Sequence, residues 1–225
     1  MNRSILFLAL AASAASVAPA WAQDSQGVSA GDVLVRVRAI EVVPNERSSG
    51  ITPTFPGEKL AIDAAVMPEV DVTWMATDHI GLELIAATTR HTASGRTGTT
   101  GAIGDLASTW ALPPTLTVQY HFNPRGKVRP YVGAGLNYTI LYSEKASKGL
   151  TDAVGATRVT MSDSFGWAAQ AGVDVAIGPR TFLNLDIKYI DMDSDVTLRT
   201  AAIGTQKVRA HIDPLVIGAG IGFRF

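Results

Sequence analysis

The chain has no cysteine among its 225 residues. Without thiols it can build neither a disulfide framework, nor a thiolate nucleophile, nor a Cys-based metal site, which removes several enzyme classes at once. A basic run is missing too. With 19 Lys and Arg against 20 Asp and Glu, the net charge is -1 and the electrostatic footprint of a nucleic-acid binder is lacking. Long apolar runs are scarce: the one present, residues 5–18, follows Arg3 and closes on Ala20-Trp21-Ala22. Its roughly 14 residues fall short of the roughly 20 that a membrane-crossing helix needs, and the small-residue close is a cleavage pattern. Residues 1–22 therefore read as a signal peptide, leaving 23–225 as one domain with no helix able to span a bilayer.

What fills that domain is alternation. At the C-terminus Leu215, Ile217, Ala219, Ile221, Phe223 and Phe225 alternate with Val216, Gly218, Gly220, Gly222 and Arg224 up to the last residue. A soluble protein avoids ending on so flat and apolar a strand. A lipid-facing barrel wall requires it, since only a closed barrel lets strands cross a membrane with every backbone group paired. The pattern also resembles the terminal signature by which outer-membrane barrels are recognised for insertion, which implies the barrel-assembly machinery as a partner through Phe225.

Period-two segments recur at 32–43, 60–75, 80–88, 115–122, 130–142, 165–177, 182–192 and from about 208. The fold expected is all-β, an eight-stranded antiparallel transmembrane β-barrel. Three short turns (76–79, 123–126, 178–180) alternate with long polar stretches (44–59, 89–113, 143–164, 193–207), as periplasmic turns alternate with extracellular loops. Aromatics gather in two girdles, Trp74, Tyr120, Phe122, Phe223 and Phe225 at the turn end and Tyr138, Tyr142, Phe165, Trp167 and Tyr189 at the other. The localisation expected is the bacterial outer membrane, in contact with its lipid and lipopolysaccharide.

Eight strands enclose a lumen that side chains can nearly fill, so a wide aqueous pore is not expected. Sorted by height, the inward positions divide. Toward the turn end lie Arg36, Arg38, Glu69, Asp71, Glu83, His121, Asp174 and Asp186, mixed in sign and able to satisfy one another as a polar plug. Toward the loop end lie Ile40, Val42, Met67, Ile85, Leu141 and Ile190, with Lys188 the main exception. Apolar side chains facing a watery mouth need covering. Either the long stretches fold over them as a small core, or they form a hydrophobic entrance for small apolar molecules. With charges closing the floor, such a molecule would leave sideways, where Pro68, Pro114 or Pro214 weakens strand pairing.

Several runs carry a resemblance: Met75-Ala76-Thr77-Asp78-His79-Ile80-Gly81-Leu82-Glu83-Leu84, Leu112-Pro113-Pro114-Thr115-Leu116, Gln119-Tyr120-His121-Phe122-Asn123-Pro124, and Arg129-Pro130-Tyr131-Val132-Gly133-Ala134-Gly135-Leu136-Asn137-Tyr138. Through them the chain resembles the OmpW/AlkL family of outer-membrane proteins over essentially its whole mature length. The resemblance implies an eight-stranded barrel with a hydrophobic channel for small apolar compounds, some members serving instead as colicin receptors or in stress responses. It also implies a hydrophobic gate at Ile85 and Phe165, although Phe165 falls on the outward parity of its own strand.

Other signals are weaker. Gly133-Ala134-Gly135 and Gly218-Ala219-Gly220 lie inside strands rather than opening a helix, so they are not phosphate-binding loops and no cofactor is expected. Asp191, Asp193 and Asp195 space like a calcium loop but lack its later Gly and Glu; the four His are scattered, so no metal is expected. No nucleophile elbow or reactive cluster points to an enzyme.

Overall fold

A strand that is apolar on one side and polar on the other, with both edges unpaired, is stable only when a neighbour takes each edge. The computed structural model describes residues 27–225, so the signal peptide expected at 1–22 lies outside the described residues. Its strands are β1 (Val33–Val43), β2 (Arg47–Ser48), β3 (Leu60–Ile62), β4 (Ala65–Met75), β5 (Ile80–Ala87), β6 (Thr89–Gly95), β7 (Asp105–Leu112), β8 (Thr115–His121), β9 (Val128–Ala146), β10 (Thr157–Met161), β11 (Ser164–Ala176), β12 (Thr181–Ile190), β13 (Asp193–Thr200), β14 (Gly204–His211) and β15 (Leu215–Arg224), with helices α1 (Gly98–Ile103) and α2 (Lys148–Val154).

Eight of these close a ring, β1-β4-β5-β8-β9-β11-β12-β15 and back to β1, every pairing antiparallel. The C-terminus seals the seam: Phe225 N–H donates to Val33 O at 2.9 Å, and Phe225 O accepts from Val33 N–H at 3.0 Å. Outside the ring, Val70, Leu84, Leu116, Val118, Leu136, Leu185 and Ile187 are exposed. A belt of this size is untenable in water, and it marks a surface facing lipid.

Above this ring the walls continue. Strands β3, β6 and β7 join the upper half of β9 in one sheet, while β10, β13, β14 and β2 form a second. Ile51, Leu60, Leu106, Leu150, Val154, Val159, Val196, Leu198 and Val208 pack between them as a separate apolar core. The stretches read from sequence as polar loops are thus a built cap: 89–113 holds β6, α1 and β7, 143–164 holds α2 and β10, and 193–207 holds β13 and the start of β14. Their apolar residues alternate for too few positions, between glycines, to stand out from a loop pattern. Helix α1 owes its start to a distant group, since the Glu58 carboxylate accepts the N–H of Thr99 at 2.9 Å and of Thr100 at 2.7 Å. In α2 the Ser147 hydroxyl does the same locally, accepting from Leu150 N–H at 2.9 Å.

Between barrel and cap almost every wall changes strand, with breaks at 44–46, 63–64, 88, 113–114, 162–163, 191–192 and 212–214; among the described residues only β9 runs through. Pairing lapses on two faces of this level. The β4–β5 ladder stops at Glu69–Ala87, and β3–β6 resumes only at Ile62–Ala93. The β5–β8 ladder stops at Ile85–Thr115, and β6–β7 resumes at Thr89–Ala111.

Candidate functional site

Inward parity on β1, β4, β5, β11 and β12 collects the charged side chains into one buried network. The Arg36 guanidinium reaches Asp71 at 2.9 Å, Asp174 at 3.1 Å and the Thr73 hydroxyl at 2.8 Å. Arg38 meets Glu69 and Asp71, each at 2.8 Å, and lies 3.6 Å from Asp186. Glu83 lies 3.6 Å from both guanidinium groups and accepts from Thr117 at 2.8 Å. Asp186 accepts from the Tyr131 hydroxyl at 2.9 Å, and Asp174 from the Asn184 amide at 2.8 Å. His121 stacks on the Tyr131 ring, centroids 5.3 Å apart, beneath Arg36. Charges taken out of water persist only when paired, and each of these carboxylates and guanidinium groups has an opposite charge within 4 Å and at least one hydrogen bond, although Arg38 Nε and Glu83 Oε1 are left without a hydrogen-bond partner among the described residues. All eight sequence-assigned plug residues are buried in it.

Above the network the lining turns apolar at one step. Lys188 closes the top of the plug on Glu69 at 3.1 Å; next to it, Ile40, Val42, Ile190, Met192, Ile212 and Val216 form a continuous cluster with Met67 against its side. Two small cavities lie at this level among the described residues. The lower, about 40 Å³, is bounded by Ile40, Val42, Ile85 and Ile190 above the Lys188–Glu69 pair. The upper, about 50 Å³, is bounded by Leu141 and Ile212 under the cap. His91, Ala111 and Met192 line both, so the two are neighbours along the axis. Each is larger than the roughly 10–15 Å³ that holds one water and far smaller than the roughly 300 Å³ of a small-molecule pocket. The mouth is covered in this conformation.

Ile40, Val42, Met67, Ile85, Leu141 and Ile190 therefore share the upper lumen, Met67 only half-buried because it stands at the lapse beside β4. Phe165 does not join them. It is 69% exposed on the lipid face, opposite Tyr138. The β9–β11 ladder runs without a shift from Ser164 to Val175, so no bulge rotates Phe165 inward, and the buried neighbour is Ser164. The gate position implied by resemblance is corrected on this point.

Sequence reading missed His91, Ala111, Pro113 and Met192, all assigned to loops or strand ends. The signal was the inward parity that Thr89 and His91 share along β6. His91 bridges the lapse: its Nδ1 lies 3.0 Å from Asp63 O, which can only accept, so Nδ1 carries a proton, and Nε2 lies 3.0 Å from the Thr89 hydroxyl. Asp193 and Asp195 are engaged by His211 and Arg209. Among the described residues, no group of three or more His, Asp or Glu side chains is placed to hold a metal ion.

A closed barrel with a lipid-facing belt, aromatic rims and an apolar chamber over an ionic floor defines an outer-membrane β-barrel protein. The particular lineage follows from comparison: the OmpW family model matches residues 29–225, and the chain belongs to the OmpW family. It is 34% identical to outer membrane protein W of Vibrio cholerae over the full length of both chains. The crystal structure of OprG from Pseudomonas aeruginosa superposes with a TM-score of 0.83 at 28% identity, covering 89% of this chain and 98% of that one. AlkL in lipid bilayers shares the fold, with a TM-score of 0.69 at 20% identity over 93% and 95% of the two chains. With the family comes the location, the bacterial outer membrane, and so the turn end is periplasmic and the cap extracellular.

Proposed function

We propose that the protein is a passive uptake channel for small hydrophobic molecules, which enter beneath the cap, rest in the apolar upper lumen and leave sideways into the bilayer above the plug. The observation that carries this reading is the abrupt change from the Lys188–Glu69 pair to the wall of Ile40, Val42, Ile85 and Ile190. An apolar solute gains by burial above that step and meets a floor of buried ion pairs below it. Lateral release is supported by the unpaired stretches next to Pro68 and Pro114: a proline offers no amide to a ladder, and neither edge is zipped to β5 at that height. At Pro214 the wall is bridged instead, by Ile190 N–H to Pro214 O at 3.2 Å and Ile212 N–H to Met192 O at 2.8 Å. Met67, packed against the side of the apolar cluster, also lines an open apolar groove on the outer wall, about 980 Å³, together with Val37, Val66 and Pro68.

The test is uptake of an apolar solute by cells that carry the protein as their sole route. Ala111→Trp, which fills the space shared by both cavities, is expected to cut uptake at least tenfold at an equal amount of inserted barrel. Phe165→Ala, on the outer wall, is expected to leave it unchanged. Equal uptake by Ala111→Trp and the native chain overturns the channel reading and favours a receptor or stress role, for which the packed cap offers a fixed surface.

A further inference from the structure

The outer face of the four-stranded cap sheet carries positive charge that the protein itself leaves unanswered. In the β10–β13 ladder Arg158 stands directly across from Arg199, and in β13–β14 Thr197 stands across from Lys207. Like charges opposed on neighbouring strands destabilise a sheet unless something lies between them. All three cations are exposed, and none forms an ion pair among the described residues. Arg209 joins the same face, held by Asp195 through contacts of 2.9 and 3.1 Å. Beside it an open hollow of about 390 Å³ is lined by Ser49, Thr52, Thr197, Lys207 and Arg209. Hydroxyls among cations, with a single acid already engaged, suit a phosphorylated sugar: guanidinium groups grip phosphate oxygens in pairs, and hydroxyls exchange hydrogen bonds with the saccharide.

Height selects the source. Arg199 follows Tyr189, at the upper rim of the lipid-facing belt, by ten residues. At about 3.3 Å per residue and a strand tilt of about 40°, it stands roughly 25 Å above that rim. Phospholipid headgroups end within roughly 7 Å of the hydrocarbon edge. We infer that Arg158, Arg199 and Lys207 form a binding site for the phosphorylated core saccharide of lipopolysaccharide, the glycolipid that surrounds the cap in the outer leaflet. The site is independent of what the lumen carries. It anchors the cap in the sugar layer.

The test uses the full mature barrel in phospholipid discs and delipidated core oligosaccharide, phosphorylated or enzymatically dephosphorylated, with binding read by calorimetry. Arg158→Gln, Arg199→Gln and Lys207→Gln together are expected to weaken binding of the phosphorylated form at least tenfold and to flatten its salt dependence. A charge-matched variant, Arg90→Gln with Lys145→Gln and Lys148→Gln, is expected to bind as the native protein does. Native binding of the dephosphorylated form is expected to match the weakened level. Unchanged affinity in the first variant, equal loss in the second, or full binding of the dephosphorylated sugar each overturns the site. Circular dichroism and migration as a folded barrel verify that both variants retain the wall.

Discussion

At the scale of single residues, Arg36 bears the plug. It is fully buried, pairs with carboxylates from three other strands, and lies over the Tyr131 and Phe182 rings at 5.3 and 5.5 Å. Removing one partner of such a network strands the others as uncompensated charge, which costs about 3–5 kcal/mol. Arg36→Met is therefore expected to lower the unfolding free energy by about that amount, measured by urea titration in lipid vesicles. Loss below about 1 kcal/mol would mean that Asp71 and Asp174 are stabilised without it. These plug residues were legible in the sequence because their parity alone sends them inward. Phe165 was legible in the same way: parity placed it outside, and only resemblance brought it in. The cavity residues His91 and Ala111 were not, because in a short strand two inward positions do not distinguish alternation from chance.

Among elements, strand number and ring order were readable from period two, and the extent of the strands was not. Proline and glycine at 124 and 126 mark ends correctly on the turn side, but on the cap side the chain breaks and then resumes as β6, β7, β10 and β13. Those resumed strands owe their stability to the core between the two cap sheets, a long-range contact that no local pattern announces. The same breaks give a test of lateral exit. Pro68→Thr with Pro114→Thr restores two amide donors at unzipped edges without altering an inward side chain. The expected results are a higher melting temperature and reduced uptake of apolar solutes in whole cells. Unchanged uptake with a higher melting temperature would place the exit elsewhere.

Across the whole molecule, cap and barrel are two packed bodies with separate cores, and Glu58 is a fastening within the cap. The Thr100 hydroxyl, then the Thr100 and Thr99 amides, hold its carboxyl below the usual range despite its exposure. A carboxyl depressed on folding contributes stability above its ordinary value of about 4.3 and loses it as pH falls through the lower folded value. Acidification below about pH 4 is therefore expected to release α1, seen as an upfield move of the Thr99 and Thr100 amide proton resonances. Glu58→Gln should show much of that shift already at neutral pH. Persistence of the native resonances in that variant would assign the fastening to packing of Ile103 and Leu106 instead. The uninterrupted β9 has a mechanical consequence. With the seven other walls broken at the junction, β9 is, among the described residues, the one unbroken mast between the two bodies, braced by backbone bonds such as Ile190 N–H to Pro214 O and Ile212 N–H to Met192 O. The join is therefore off-centre: the two ladders that lapse there flank β5, two strands round the ring from β9, while the β1–β4 seam stays paired up to Val42 and Ala65.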